Sequence, residues 1–188
     1  MKRGIIMASF LGSILGIFGC NKTDANQYKT ADIYRDLRQQ VFSLDSSKIG
    51  VNLSSSNSVW GVVMETGYPE AVVTLVTLAD GTVSLYFSNG GGIIGVGQHE
   101  GPRKANSEFL TFSNQFLGQA LPTKTFPLPS QGNTRFYFLT PGGILTAESK
   151  EDDLGNNRLP LSPLFHKAQE VIAQARMVDE KLRSQHGQ

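Results

Sequence analysis

Apolar residues change rhythm along this chain, and each rhythm predicts an element. Ile33, Leu37, Val41 and Leu44 recur at helical spacing behind Asp32, which predicts a first amphipathic helix. Residues 43–57 are rich in Ser and Asn and read as a loop, although Ile49, Val51 and Leu53 alternate and allow a short edge strand. The period then shortens. Val59-Trp60-Gly61-Val62-Val63-Met64-Glu65 reads as a strand that ends at the turn Gly67-Tyr68-Pro69-Glu70. Residues 71–79, rich in Val, Leu and Thr, run into Asp80-Gly81, the strongest hairpin signal in the chain. On the return, Val83, Leu85 and Phe87 alternate with Thr82, Ser84 and Tyr86. Together these predict a three-stranded antiparallel meander, with Tyr68 exposed at a turn tip.

A glycine-rich stretch at 89–101 leads to a second helix with Ala105, Phe109, Phe112, Phe116 and Ala120 on one face. Residues 121–133 carry three prolines and read as a surface loop. Residues 134–140 and 144–149, joined by Pro141-Gly142-Gly143, predict a second hairpin, and the acidic and polar run 151–157 predicts another loop. Ser162 then caps a helix that has Pro163 at its first position. Leu164, Ala168, Val171, Ile172, Ala175 and Val178 form its buried face. The order α-βββ-α-ββ-α predicts an α+β domain, an antiparallel sheet of about five strands (meander plus hairpin) with three packing helices. In element order it resembles profilin-like and roadblock-like small modules, which implies helices set against a five-stranded antiparallel sheet. A likeness of that kind carries no function.

The first twenty residues follow a different pattern. Lys2 and Arg3 give a positive start, residues 4–18 are uncharged and mostly apolar, and Gly19-Cys20 closes the run. That layout is an export signal. Its apolar part is shorter than the roughly 20 residues a membrane-spanning helix needs, and no A-x-A-like cleavage site precedes Asn21. Ile17-Phe18-Gly19-Cys20 resembles the lipobox of bacterial lipoproteins. Ile17 and Gly19 match that pattern, whereas Phe18 is larger than the residue usual at the middle position. The resemblance implies a thioether-linked diacylglycerol on Cys20, cleavage that frees its amine, and a further acyl chain such as palmitate. It implies a membrane partner reached through that lipid. With Asn21 rather than Asp after the cysteine, it implies the periplasmic side of the outer membrane in a Gram-negative host. The predicted organisation is a signal peptide at 1–19, a lipid-anchored tether at 20–30, a single domain at 31–183 and a polar tail at 184–188.

Composition narrows the function classes. Of 188 residues, seventeen are Lys or Arg and sixteen Asp or Glu. Removing the signal peptide takes Lys2 and Arg3 with it and leaves near neutrality, so there is no electrostatic case for nucleic acid. Cys20 is the only cysteine. The mature fold therefore has no disulfide, and no thiol catalysis or cysteine-ligated metal is expected in it.

Gly90, Gly92 and Gly95 spell G-x-G-x-x-G after a predicted strand. The dinucleotide mechanism needs the last glycine in the first turn of a helix, and the surrounding sheet reads as antiparallel. Gly97, Gly101 and Pro102 hold off a helix until about Arg103, so the stretch reads as a loop needing positive φ or close packing. It is nevertheless the best place for a ligand. His99 lies between Gln98 and Glu100 just before the helix, with Arg103 and Lys104 in its first turn, a composition suited to an anion at free N–H groups. The competing reading is an exposed loop of solvated charges.

His166 and Glu170 stand one helical turn apart and read as a hydrogen-bonded couple rather than metal ligands, and His186 lies in the tail. Glu148, Glu151, Asp152, Asp153, Asn156 and Asn157 lack the spacing of an EF-hand and read as a solvated turn. No metal and no cofactor is expected. Neither a G-x-S-x-G elbow nor an H-E-x-x-H helix occurs. The leading expectation is a lipid-anchored, non-catalytic binding or envelope-assembly domain. Its partner would be another envelope protein, met at a sheet edge or a helix face. The alternative is a hydrolase-like enzyme with its site at His99 and the glycine loop 90–101.

Overall fold

The computed structural model describes residues 28–49 and 58–186. The expected signal peptide, Cys20, most of the expected tether, Val51, Leu53 and the last two residues of the expected tail lie outside the described residues. The elements in chain order are α1 (Asp32–Phe42), β1 (Gly61–Gly67), β2 (Val72–Leu78), β3 (Val83–Phe87), β4 (Gly92–Ile93), α2 (Glu100–Ser113), β5 (Leu121–Thr123), β6 (Asn133–Thr140), β7 (Gly143–Lys150), α3 (Glu151–Gly155) and α4 (Ser162–His186). The seven strands form one antiparallel sheet in the order β4-β3-β2-β1-β6-β7-β5.

The α+β class, the meander β1–β2–β3 and the hairpin β6–β7 are as the sequence patterns predict. The counts are not: among the described residues seven strands and four helices stand where five and three were expected. The two extra strands sit inside stretches read as loops. They are two and three residues long and pair with β3 and β7, too short to show any periodicity. The extra helix, α3, forms in the acidic run. Glu151, Asp152 and Asp153 fill its first turn, where negative charge suits the helix dipole, and Leu154 is fully buried beneath it.

Every residue of β1 is buried, because the sheet is covered on both faces. On one face Val62, Met64, Leu75, Phe136 and Phe138 meet Phe109 of α2, Leu154 of α3 and Leu164, Ala168, Val171 and Ala175 of α4. On the other, Val63, Val76, Tyr137 and Leu139 meet Tyr34 and Val41 of α1. The period-two alternation of side chains sends neighbouring apolar residues into different cores.

The helices settle differently from their predicted faces. In α1 it is Tyr34 that turns inward, while Ile33 is 58% exposed. The α2 helix stops at Ser113, and Phe116 is carried inward by a 3-10 helix at Asn114–Gln119. In α4 the expected face holds, with Leu164, Ala168, Val171 and Ala175 buried and Ile172 and Val178 half-buried. The Ser162 hydroxyl faces back, accepting from the Leu159 N–H at 3.2 Å. The α4 helix runs on to His186, through residues 184–186 of the expected tail. No helix among the described residues is long and apolar enough to cross a membrane.

Candidate functional site

The glycine stretch folds as a packed loop. Gly90, Gly91, Gly92 and Gly95 have positive φ, and a Cβ on Gly97 would overlap the Gly81 carbonyl of the β2–β3 hairpin. Positive φ at Gly90, Gly92 and Gly95, and close packing against the hairpin at Gly97, account for these glycines. The α2 helix begins at Glu100, earlier than expected, with Gly101 and Pro102 inside its first turn. Pro102 has no N–H, and the Arg103 N–H donates to the His99 carbonyl at 3.1 Å. Of the amides a helix start normally leaves open, those of Glu100 and Gly101 remain. His99 is exposed at the N-cap and makes no side-chain cap bond. Arg103 lines a hollow beside Asp80 and Gly81, whereas Lys104 lines another with Glu108 and Glu170. The structure thus places His99, Arg103 and Lys104 on one exposed helix start without converging the two cations.

The expected His166–Glu170 couple does not form. Glu170 accepts from Lys167 at 2.7 Å, Lys167 also reaches Glu108 of α2 at 2.9 Å, and the buried His166 Nε2 has no partner. In the acidic stretch Arg158 pairs with Asp152 at 2.9 Å and Asp153 at 3.0 Å. Among the described residues no group of three or more His, Cys, Asp or Glu is placed to hold a metal ion.

A polar cluster that the sequence did not reveal lies between α1 and the sheet. Glu65, in the middle of β1, is fully buried. Arg38 donates from Nε to its Oε1 at 2.6 Å and from Nη2 to its Oε2 at 2.9 Å, and Nη2 also donates to the Phe126 carbonyl at 2.7 Å. Tyr34 shares a hydrogen bond with Thr74 at 2.8 Å. The Arg38 guanidinium stands over the Phe42 ring, which stacks on Phe126 at 4.3 Å. Tyr137 donates to the Pro127 carbonyl at 2.7 Å. Arg135 pairs with Glu148 next to Glu65 in the same row across the sheet.

Burial, then the charge of Glu65, raises the Tyr34 hydroxyl above the ordinary phenol range, and the same causes push Tyr137 up to about 12. Burial opposes the charge on Arg38, but the hydrogen bonds and charge of Glu65 outweigh it and raise its pKa. With both carboxylate oxygens engaged by one guanidinium, Glu65 ties α1 to the sheet and is not free for acid–base chemistry. The one sequence clue was a lone carboxylate inside an apolar run.

Beside this cluster a hollow of about 470 Å³ is lined by Tyr34, Arg38, Phe42, Phe126 and Leu128, and a further concave feature is on the opposite face. A groove of about 520 Å³ runs between the second half of α4 and the ends of β1, β2 and β3. Met64, Val73, Leu85, Phe87, Ile93 and Ile172 make it apolar within, and Arg176, Asp179, Glu180 and Arg183 of α4 form a charged rim. Arg183 and Asp179 pair at 2.8 Å. Along this stretch of α4 the last fully buried residue is Ala175, with Ile172 and Val178 half-buried and the charged Arg176, Asp179, Glu180 and Arg183 along the groove. Tyr68, at the β1–β2 turn, is 38% exposed, as expected, and is among the lining residues. Both edge strands are short, β5 covers only Ile144, Leu145 and Thr146 of β7, and Pro122 in β5 has no N–H to donate.

No protein family matches this chain, nor does any curated protein or solved structure.

Proposed function

We propose that this chain is a lipid-anchored protein of a bacterial cell envelope whose α+β domain works by binding rather than by catalysis. The observation that carries the reading is the N-terminal pattern itself: Lys2-Arg3, an uncharged apolar run, and Gly19-Cys20 with the only cysteine in the chain. Each buried CH₂ contributes about 0.8 kcal/mol, so one acyl chain holds only marginally and a diacylglycerol with a further chain holds stably. Asn21 favours the periplasmic face of the outer membrane in a Gram-negative host. The groove along α4 supports a binding role, since concave apolar sites with a polar margin are where ligands are taken up. An envelope partner would dock at that groove along α4, at another helix face, or at the outer edge of β7 that β5 leaves unpaired past Thr146.

Radiolabelled palmitate fed to cells making the chain tests the anchor. Label is expected in the wild-type protein. Cys20→Ala is expected to carry none and to be released from membranes or left as precursor. Absence of label in the wild type overturns the anchor. A broad hydrolase screen tests the other half of the reading, and an activity lost on His99→Ala would overturn the non-catalytic role.

A further inference from the structure

We infer that the hollow between α1 and residues 126–128 is a further binding site, one that takes a small organic carboxylate with an aromatic or aliphatic body. It lies across the sheet from the α4 groove and is independent of the lipid anchor. Arg38 supplies its inner donor. The Nε and Nη2 of Arg38 are spent on Glu65 and the Phe126 carbonyl, whereas Nη1 bonds no described residue and is not sealed from solvent. Arg35, three positions earlier on α1, also lines the hollow and is more exposed. Its Nη1 donates to the Thr30 carbonyl at 2.7 Å, and its Nη2 pairs with Asp32. Side chains at that helical spacing stand about 5–6 Å apart at Cβ, so one carboxylate can reach both guanidiniums.

Charge and shape select the ligand together. Among the described residues the lining holds these two cations and no acid, since Glu65 lies beneath it and is engaged by Arg38. Phe42 and Phe126 stack at 4.3 Å and both meet Tyr137 edge-on, which makes a preformed aromatic wall beside Leu128 and the Tyr34 ring. Such a wall disfavours a strongly hydrated inorganic ion and accepts the body of an organic acid. The ion pair itself also points to a ligand. An apolar pair of the same size would hold α1 to the sheet about as well, because burying two charges costs desolvation that their attraction barely offsets. What Glu65 adds is orientation: it fixes the fork of Arg38 so that Nη1 stays available.

Titration calorimetry of naphthoate into the full-length chain in non-ionic detergent, with detergent alone as the blank, provides the test. Saturable binding is expected, with the neutral naphthamide about 10- to 100-fold weaker, the range a hydrogen bond to a charged group supplies. Arg38→Met combined with Glu65→Leu keeps the packing of α1 and is expected to lose that preference for the acid. Arg35→Gln touches no buried partner and is expected to weaken naphthoate several-fold. Ile172→Trp, which narrows the α4 groove, is expected to change nothing. No saturable binding to the wild type, or equal binding of acid and amide, overturns the inference. Loss of binding in Ile172→Trp also overturns it by seating the probe in the α4 groove. Unchanged affinity in both arginine variants overturns it as well. Each of these outcomes leaves the palmitate labelling of Cys20 as a separate question.

Discussion

The guanidinium of Arg38 lies across both carboxylate oxygens of Glu65, at 2.6 and 2.9 Å, at the centre of a sheet covered on both faces. Removing one partner of such a pair strands the other charge in a medium that cannot solvate it, which typically costs about 3–5 kcal/mol. Arg38→Met is therefore expected to lower the unfolding free energy by about that amount in urea titrations. Adding Glu65→Leu is expected to recover most of the loss. A double variant as unstable as the single one would show that Arg38 matters through its packing on Phe42 and not through its charge.

The buried phenols give the fold an alkaline limit. Burial and Glu65 raise Tyr34 and Tyr137 above the ordinary value of 10.0, with Tyr137 reaching about 12. Above the ordinary value the unfolded chain releases protons that the folded chain keeps, so stability falls as pH rises. The contribution is fully present below pH 10.0 and is lost toward about 12. Denaturation midpoints measured across this window should decline, and Tyr137→Phe should flatten the decline. An unchanged slope in that variant would place the alkaline limit elsewhere.

Gly97 tests the packed-loop reading of the glycine stretch. A Cβ there meets the Gly81 carbonyl, a backbone atom that cannot swing away. Gly97→Ala is expected to destabilise the domain by about 1–3 kcal/mol, as overpacking does. Gly118 is the control, because a Cβ there meets nothing within 4 Å. Gly118→Ala is expected to be neutral or slightly stabilising by restricting the unfolded chain. Equal melting temperatures for the two variants would contradict the packing argument.

Phe18 is the one residue of the N-terminal motif that departs from the lipoprotein pattern. Phe18→Ala places a small residue there and is expected to raise the fraction of processed, palmitate-labelled protein in pulse-chase gels. A lower processed fraction would mean that Phe18 is recognised rather than tolerated.

Legibility followed locality. The hairpins were readable because Asp80-Gly81 and Pro141-Gly142 sit between runs of strand-forming residues, and the contacts they create are close in sequence. The last helix was readable because Leu164, Ala168, Val171 and Ala175 repeat over several turns. Strands β4 and β5 were not, since two or three residues form no period and exist only through their partners in β3 and β7. The N-terminal face of α1 was misjudged because the helix presents Ile33 and Tyr34 side by side, and the buried carboxylate of Glu65 gives Arg38, one turn beyond Tyr34, a reason to face inward. Of the candidate site, His99, Arg103 and Lys104 were visible as residue types, but the groove was not.

By itself the sequence determined the α+β class and the antiparallel pairing of the meander, because each depends on neighbours within a few residues, and it carries the proposed export signal with Cys20 as the single acylation candidate. Only the tertiary structure decided that both faces of the sheet are covered, that Arg38 meets Glu65 across 27 positions, and that a groove opens between the second half of α4 and the sheet. Val63 and Met64 are both apolar, and no local pattern states which core each will enter. That choice is made by helices from opposite ends of the chain, whose burial of apolar surface is settled only when they meet the sheet.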